Sequence, residues 1–153
     1  MQSQTTIRPA RADERSMLIE LQRVASLASG TYRDVLLAHP EAIDLPLAQI
    51  EERRVHVAER NGTVLGFCVV LPPEAGAAEL DGWFVDPALW RQGLGRRLVR
   101  EAERLAVAGG ADVLSVTANP DALEFYESCA FQTIGEVATR FDVAKRMEKR
   151  LTP

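Results

Sequence analysis

The chain has few of the residues that build metal centres and disulfide frameworks. Among 153 residues there are two cysteines and two histidines. Cys68 falls in an apolar, strand-like run and Cys129 at the end of a helical pattern, so both read as buried thiols of a reducing, cytoplasmic setting. His39 and His56 are far apart and lack cysteine or carboxylate companions at ligand spacing, so no metal is expected. No apolar stretch approaches the ~20 residues that span a bilayer. Met1-Gln2-Ser3-Gln4-Thr5-Thr6 has neither a basic start nor an apolar run, so neither membrane insertion nor a secretion signal is expected. Positive charge is not in excess: 18 Lys and Arg stand against 22 Asp and Glu, a formal net charge of −4. That balance argues against bulk nucleic-acid binding and leaves room only for a local basic patch. Repeats, linkers and low-complexity segments are also missing. What remains, 46% apolar and 26% charged, is the composition of one globular domain over residues 1–153.

Hydrophobic periodicity orders that domain. Thr5–Arg8 reads as a short strand stopped by Pro9. Asp13 offers an N-cap, and Met17, Leu18, Leu21, Val24, Ala25 and Ala28 repeat at helical spacing up to Gly30. Tyr32–Leu37 and Ala48–Arg53 suggest short helical pieces separated by Pro40 and Pro46. Val55 and Val57 alternate with Arg54, His56 and Ala58 as a half-buried strand, Asn61-Gly62 is a hairpin signal, and the nearly all-apolar Val64–Leu71 reads as a central strand. Ala78–Val85 is a third strand of this group, with Leu80, Gly82 and Phe84 on one face and Glu79, Asp81, Trp83 and Val85 on the other. A helix runs from Gly93 to Gly109-Gly110, followed by a strand at Val113–Thr117. Asn119-Pro120 opens a helix whose Ala122, Phe125, Tyr126 and Cys129 share a face. Thr133–Gly135 and Ala144–Leu151 read as final strands. The order predicts an α/β fold: a mixed sheet of six or seven strands flanked by about four helices.

The richest segment is Val85-Asp86-Pro87-Ala88-Leu89-Trp90-Arg91-Gln92-Gly93-Leu94-Gly95-Arg96-Arg97-Leu98. A strand ends, a basic glycine-containing loop follows, and a helix begins. The first N–H groups of a helix lack partners within it, and together with the helix dipole they favour an anion. A dinucleotide fingerprint is excluded because Leu98 stands where its third glycine belongs, and no Gly-Lys-Ser/Thr follows for a triphosphate loop. An ordinary strand-to-helix connection with two glycines remains the plain alternative.

Three local matches, in order, resemble the GNAT superfamily of acetyl-CoA-dependent N-acetyltransferases, over Ile7 to Leu151. Val85-Asp86-Pro87 with Gly93-Leu94-Gly95 looks like that family's pyrophosphate loop. Asn119-Pro120-Asp121-Ala122-Leu123-Glu124-Phe125-Tyr126 matches its Asn-x-x-Ala-x-x-Phe-Tyr pattern. Phe131 stands five residues after Tyr126, like the phenylalanine of its Tyr-x-x-x-Gly-Phe ending. Two positions depart: Trp90 replaces the usual Arg or Gln three residues before the first glycine, and Ala130 replaces the glycine before Phe131.

The resemblance implies a mostly antiparallel mixed sheet and acetyl transfer from acetyl-CoA to a primary amine of a small molecule or peptide, by direct attack in a ternary complex. The carrier is expected between strands that splay apart, here Ala78–Val85 and Val113–Thr117. Backbone groups of Phe84 and Val85 would hold its pantetheine arm, and Arg91, Gln92, Gly93, Leu94, Gly95 and Arg96 its pyrophosphate. Asn119 stands as either a carrier contact or only a helix cap. Tyr126 matches the tyrosine that protonates the leaving thiolate, with a core tyrosine as the plain alternative. Glu79 is the base candidate, beside Asp81 or a water chain; a solvated or salt-bridged strand carboxylate is its plain reading. Tyr32, Arg33, His39 and Glu41, with Arg140, Phe141 and Asp142, lie in segments that shape the acceptor pocket but spell no substrate. The acidic balance leans towards a cationic amine. A non-catalytic acyl-CoA sensor or interaction module is the competing reading. Trp83, Trp90 and Phe141 raise the expectation of a homodimer.

Overall fold

A computed structural model of the protein describes residues 4–152. Its seven strands form a sheet of order β1-β2-β3-β4-β5-β7-β6, and five α-helices accompany it. The chain divides into two compact units. One runs up to Val69 and includes Gly82–Glu101; the other comprises Val70–Asp81 and the stretch from Ala102 onward.

In the first unit, β1 (Thr6–Pro9), β2 (Val55–Arg60) and β3 (Thr63–Val70) pair antiparallel in sequence. The first strand ends at Pro9, which is itself part of it. Pro9 lies opposite His56 and is accommodated there because an edge strand has one side on which a missing N–H costs nothing. Asn61 and Gly62 turn the β2–β3 hairpin with φ of 53° and 77°, the left-handed pair that a type I′ turn requires. α1 (Arg15–Ser29) ends at Gly30, φ 90°. Asp13 is not its N-cap; it lies in the 3-10 turn Ala12–Glu14 that precedes the helix. Glu14 closes that turn by accepting the Arg11 N–H at 2.8 Å. Short helices α2 (Arg33–Ala38) and α3 (Leu47–Glu51) flank the Pro40–Ala42 turn, so the prolines do divide this segment. Leu18, Leu45, Val55, Val57, Phe67, Cys68, Leu98 and Val99 are fully or almost fully buried.

β4 (Ala77–Val85) and α4 (Leu94–Ala108) run through both units. At the two ends of the β3–β4 pairing, Leu71 N–H donates to Glu79 C=O and Asp86 N–H to Leu65 C=O, both at 2.9 Å. Leu71 lies six positions after Leu65, but Asp86 lies seven after Glu79, so β4 carries one extra residue. That bulge corrects the alternation expected for β4. Ala78, Leu80 and Gly82 are buried, and then Val85 rather than Phe84 is the covered residue, because one added residue exchanges the two faces.

In the second unit, β4 pairs parallel with β5 (Val113–Ala118) from Ala77↔Val113 to Leu80↔Val116. β7 (Val143–Arg150) lies antiparallel between β5 and the edge strand β6 (Gln132–Ala138). α5 (Leu123–Ser128) precedes β6. Leu114, Val116, Met147, Ala102, Ala106 and Phe131 fill this core. Edge position explains why nearly all of β6 is exposed.

Candidate active site

One group of candidate residues forms the connection between β4 and α4. A 3-10 turn, Pro87–Leu89, follows Asp86, whose Oδ1 accepts the Ala88 N–H at 3.0 Å. Arg91 (φ 66°) and Gly93 (φ 85°) then take left-handed backbone, and α4 starts at Leu94. The two glycines answer different demands. A Cβ at Gly93 would meet nothing within 4 Å, so its glycine is required by φ alone. A Cβ at Gly95 would stand 2.6 Å from Trp83 Cζ2, so here glycine makes room for an indole. That indole donates its N–H to Gly95 C=O at 3.0 Å.

Leu94 buries its side chain and offers the loop only its backbone. Arg91, Gln92 and Arg97 are exposed and Arg96 is half-buried. Gln92, Gly93, Leu94 and Arg97 line a cavity of about 140 Å³ with Leu89, Thr5 and Arg60. Arg60 Nε donates to Thr5 Oγ1 at 2.9 Å. Sequence reading missed Thr5 and Arg60, because only the β1–β2 ladder brings their strand ends to the mouth of α4.

Phe84 and Val85 lie at the end of β4. Asp86 sends its N–H to β3, so the N–H and C=O of Val85 point off the other edge. The Val85 carbonyl accepts the Trp90 indole N–H at 2.8 Å. Phe84 packs its ring on Phe67, centroids 5.3 Å apart.

A separate group of candidate residues lies in the other unit. Asn119 Oδ1 accepts the Ala122 N–H at 3.0 Å, which is a capping bond for the turn into α5. Tyr126 is 4% exposed. Its ring meets Phe125 and Phe131 edge-on, each at 5.5 Å. Glu79 is half-buried, and its Oε2 accepts from Arg146 Nη1 at 2.9 Å. The same nitrogen donates to Thr117 Oγ1 at 2.8 Å. The bond to Glu79 raises the Arg146 pKa further, so this guanidinium stays charged. Arg146 and Thr117 are a pairing that the spacing of residues did not signal, since β5 and β7 are distant in sequence. Asp81, two residues along, is exposed.

In the segments assigned to the acceptor pocket, His39 Nδ1 lies 3.3 Å from Glu41 Oε1, and the Arg140 guanidinium sits over the Phe141 ring at 5.0 Å. Cys68 offers no nucleophile: burial pushes its thiol up to about 12, and the thiol is not the reactive form. Among the described residues no three His, Cys, Asp or Glu gather as a metal site, and no helix is long and apolar enough to cross a membrane.

Comparison with known proteins supplies the context for this geometry. No curated protein matches the chain. Among solved structures, the fold is similar to the PaiA N-acetyltransferase from Thermoplasma acidophilum in complex with coenzyme A, 20% identical over 96% of this chain and 99% of that one, TM-score 0.77. It is similar to a putative acetyltransferase from Salmonella typhimurium with its cofactor acetyl-CoA, 23% identical over 99% and 96% of the two chains, TM-score 0.73. A ribosomal-protein alanine N-acetyltransferase from Escherichia coli is 19% identical over 98% and 96%, TM-score 0.72. At such identities these likenesses establish the fold. The model of the acetyltransferase (GNAT) family matches residues 21–131, well over half of the chain, and the protein therefore belongs to that family.

Proposed function

We propose that the protein transfers an acetyl group from acetyl-CoA to a primary amine of a small molecule or peptide. The observation that carries this reading is the β4–α4 loop. Its left-handed Arg91 and Gly93 lead into the first turn of a 15-residue helix, whose leading N–H groups have no intrahelical partners. Arg91 precedes that turn, and Arg96 and Arg97 lie within it. Such a set fits a diphosphate, and the residues fit the carrier on chemical grounds. When bound, acetyl-CoA supplies an activated thioester.

The chain's own groups then have three tasks. The amides of residues 91–96 hold the diphosphate, and the outward N–H of Val85 is placed for an amide of the pantetheine arm. Glu79, kept in place by Arg146, takes the proton that the acceptor ammonium must lose before its nitrogen can attack, directly or through water. The Tyr126 hydroxyl gives its proton to the sulfur as the carbon–sulfur bond breaks and the carbon–nitrogen bond forms. Orientation of both substrates in one complex accounts for much of the rate.

Neighbouring structures named as N-acetyltransferases, one of them for a ribosomal-protein alanine, support an amine acceptor. Acetyl-CoA-dependent thiol release across a panel of polyamines, amino acids and peptides tests the reading. Tight CoA binding without turnover on any amine would favour the acyl-CoA sensor instead. Light scattering at about 34 kDa, twice the 16.9 kDa of the chain, is expected for a homodimer.

A further inference from the structure

Both tryptophans of this chain donate their indole N–H to carbonyls at the margins of one loop. Trp83, on β4, bonds Gly95 C=O in the first turn of α4 at 3.0 Å. Trp90, in the loop, bonds Val85 C=O at the end of β4 at 2.8 Å. Trp90 is 41% exposed, so core filling does not account for it. The residue that follows it, Arg91, sits at φ 66°, a conformation that costs a non-glycine residue free energy and persists only where surrounding bonds hold it.

We propose that Trp90 is a positioning residue for carrier binding: its bond to Val85 C=O holds the 86–93 loop in the shape that presents its amides to a diphosphate. The assignment rests on the reading of this loop as the acetyl-CoA site. Three features support it. The bond spans the strand end and the loop, so it fixes the loop's point of departure. It is adjacent to the strained Arg91, whose turn directs the chain towards Gly93. It also occupies the Val85 carbonyl, leaving the Val85 N–H as the outward polar group at the end of β4.

The test compares wild type with Trp90→Phe, which keeps an aromatic ring and removes the N–H. Calorimetry with coenzyme A and steady-state kinetics with acetyl-CoA are the readouts. The expected result is a Kd for coenzyme A and a KM for acetyl-CoA raised about threefold to tenfold, the scale of one neutral hydrogen bond. The kcat at saturating acetyl-CoA should stay near wild type, and the thermal midpoint should fall by no more than about 5 °C. A lowered midpoint with unchanged Kd and KM assigns Trp90 a purely structural part and overturns the proposal. A second measurement needs no variant: the Trp90 indole ¹H–¹⁵N resonance of the wild type should exchange slowly with solvent and shift when coenzyme A is added. Fast exchange and no shift, with coenzyme A bound, also overturns it. Failure of the wild type to bind coenzyme A would instead remove the underlying reading of the loop, and the Trp90 assignment with it.

Discussion

Phe131 N–H donates to Tyr126 C=O at 3.0 Å, and the rings of the same two residues meet edge-on at 5.5 Å. With the Ala130 N–H on Glu127 C=O at 3.0 Å, these bonds form a Schellman motif closing α5. The five-residue spacing of tyrosine and phenylalanine thus has a mechanical reason. It lets the residue after the helix satisfy a terminal carbonyl and pack on the side chain one turn back. Tyr126 is held by backbone and ring together.

That motif places Ala130 at φ 72°, where a Cβ is strained. Ala130→Gly should therefore stabilise the protein by about 0.5–1 kcal/mol, read as a rise of roughly 1–4 °C in the thermal midpoint. A lower midpoint would show that the left-handed turn is not formed in solution.

Tyr126→Phe keeps the ring between Phe125 and Phe131 and removes only the hydroxyl. As proton donor, its loss should lower kcat by about 10²–10⁴ while carrier affinity and folding change little. A core tyrosine would show the reverse: altered stability and near-normal turnover. A fall of less than about threefold would be read as packing.

Glu79→Gln tests the base. The loss of kcat/KM should be largest near neutral pH and shrink as pH nears the acceptor amine's own pKa, about 10.4 for a lysine-like amine, because the free amine then needs no proton removed. A pH-independent loss points to a positional part in the Arg146–Thr117 bonds.

Gly93 and Gly95 should fail differently. Gly93→Ala adds strain of about 1–2 kcal/mol and should weaken coenzyme A binding through the loop's shape. Gly95→Ala drives a methyl into Trp83, so it should shift tryptophan emission and lower the thermal midpoint even without ligand. Identical behaviour of the two variants would contradict the separate reasons assigned to them.

Acid should act through Glu14. Arg8 donates to its two oxygens at 2.9 and 2.8 Å, and this bond holds its pKa down at about 2 against a usual 4.5. A depressed carboxyl contributes stability that is fully present above about 4.5 and is lost as pH falls towards 2. The loss should approach about 3 kcal/mol. In Glu14→Gln, stability should be lower at pH 7 and fall less between pH 4.5 and 2. Denaturant titrations across that range provide the measurement; an equal acid-dependent loss in both proteins would refute the role given to Glu14.

Periodicity and turn chemistry in the sequence alone determined the strand and helix order, the Asn61-Gly62 hairpin, the Gly30 and Gly110 helix ends and the position of the glycine loop before α4. Those features rest on local backbone preferences and on which side chains share a face, and neither depends on distant residues. Tertiary structure decided the rest. The extra residue in β4 moved Val85 to the buried face, since a bulge is set by pairing with β3. The Trp90–Val85 and Trp83–Gly95 bonds arise because the loop folds back on its strand. Thr5 and Arg60 reach the cavity beside α4 through a ladder between strands some fifty residues apart, and Glu79 finds Arg146 across β5. Such contacts depend on register and on chain closure, which no local run of residues encodes.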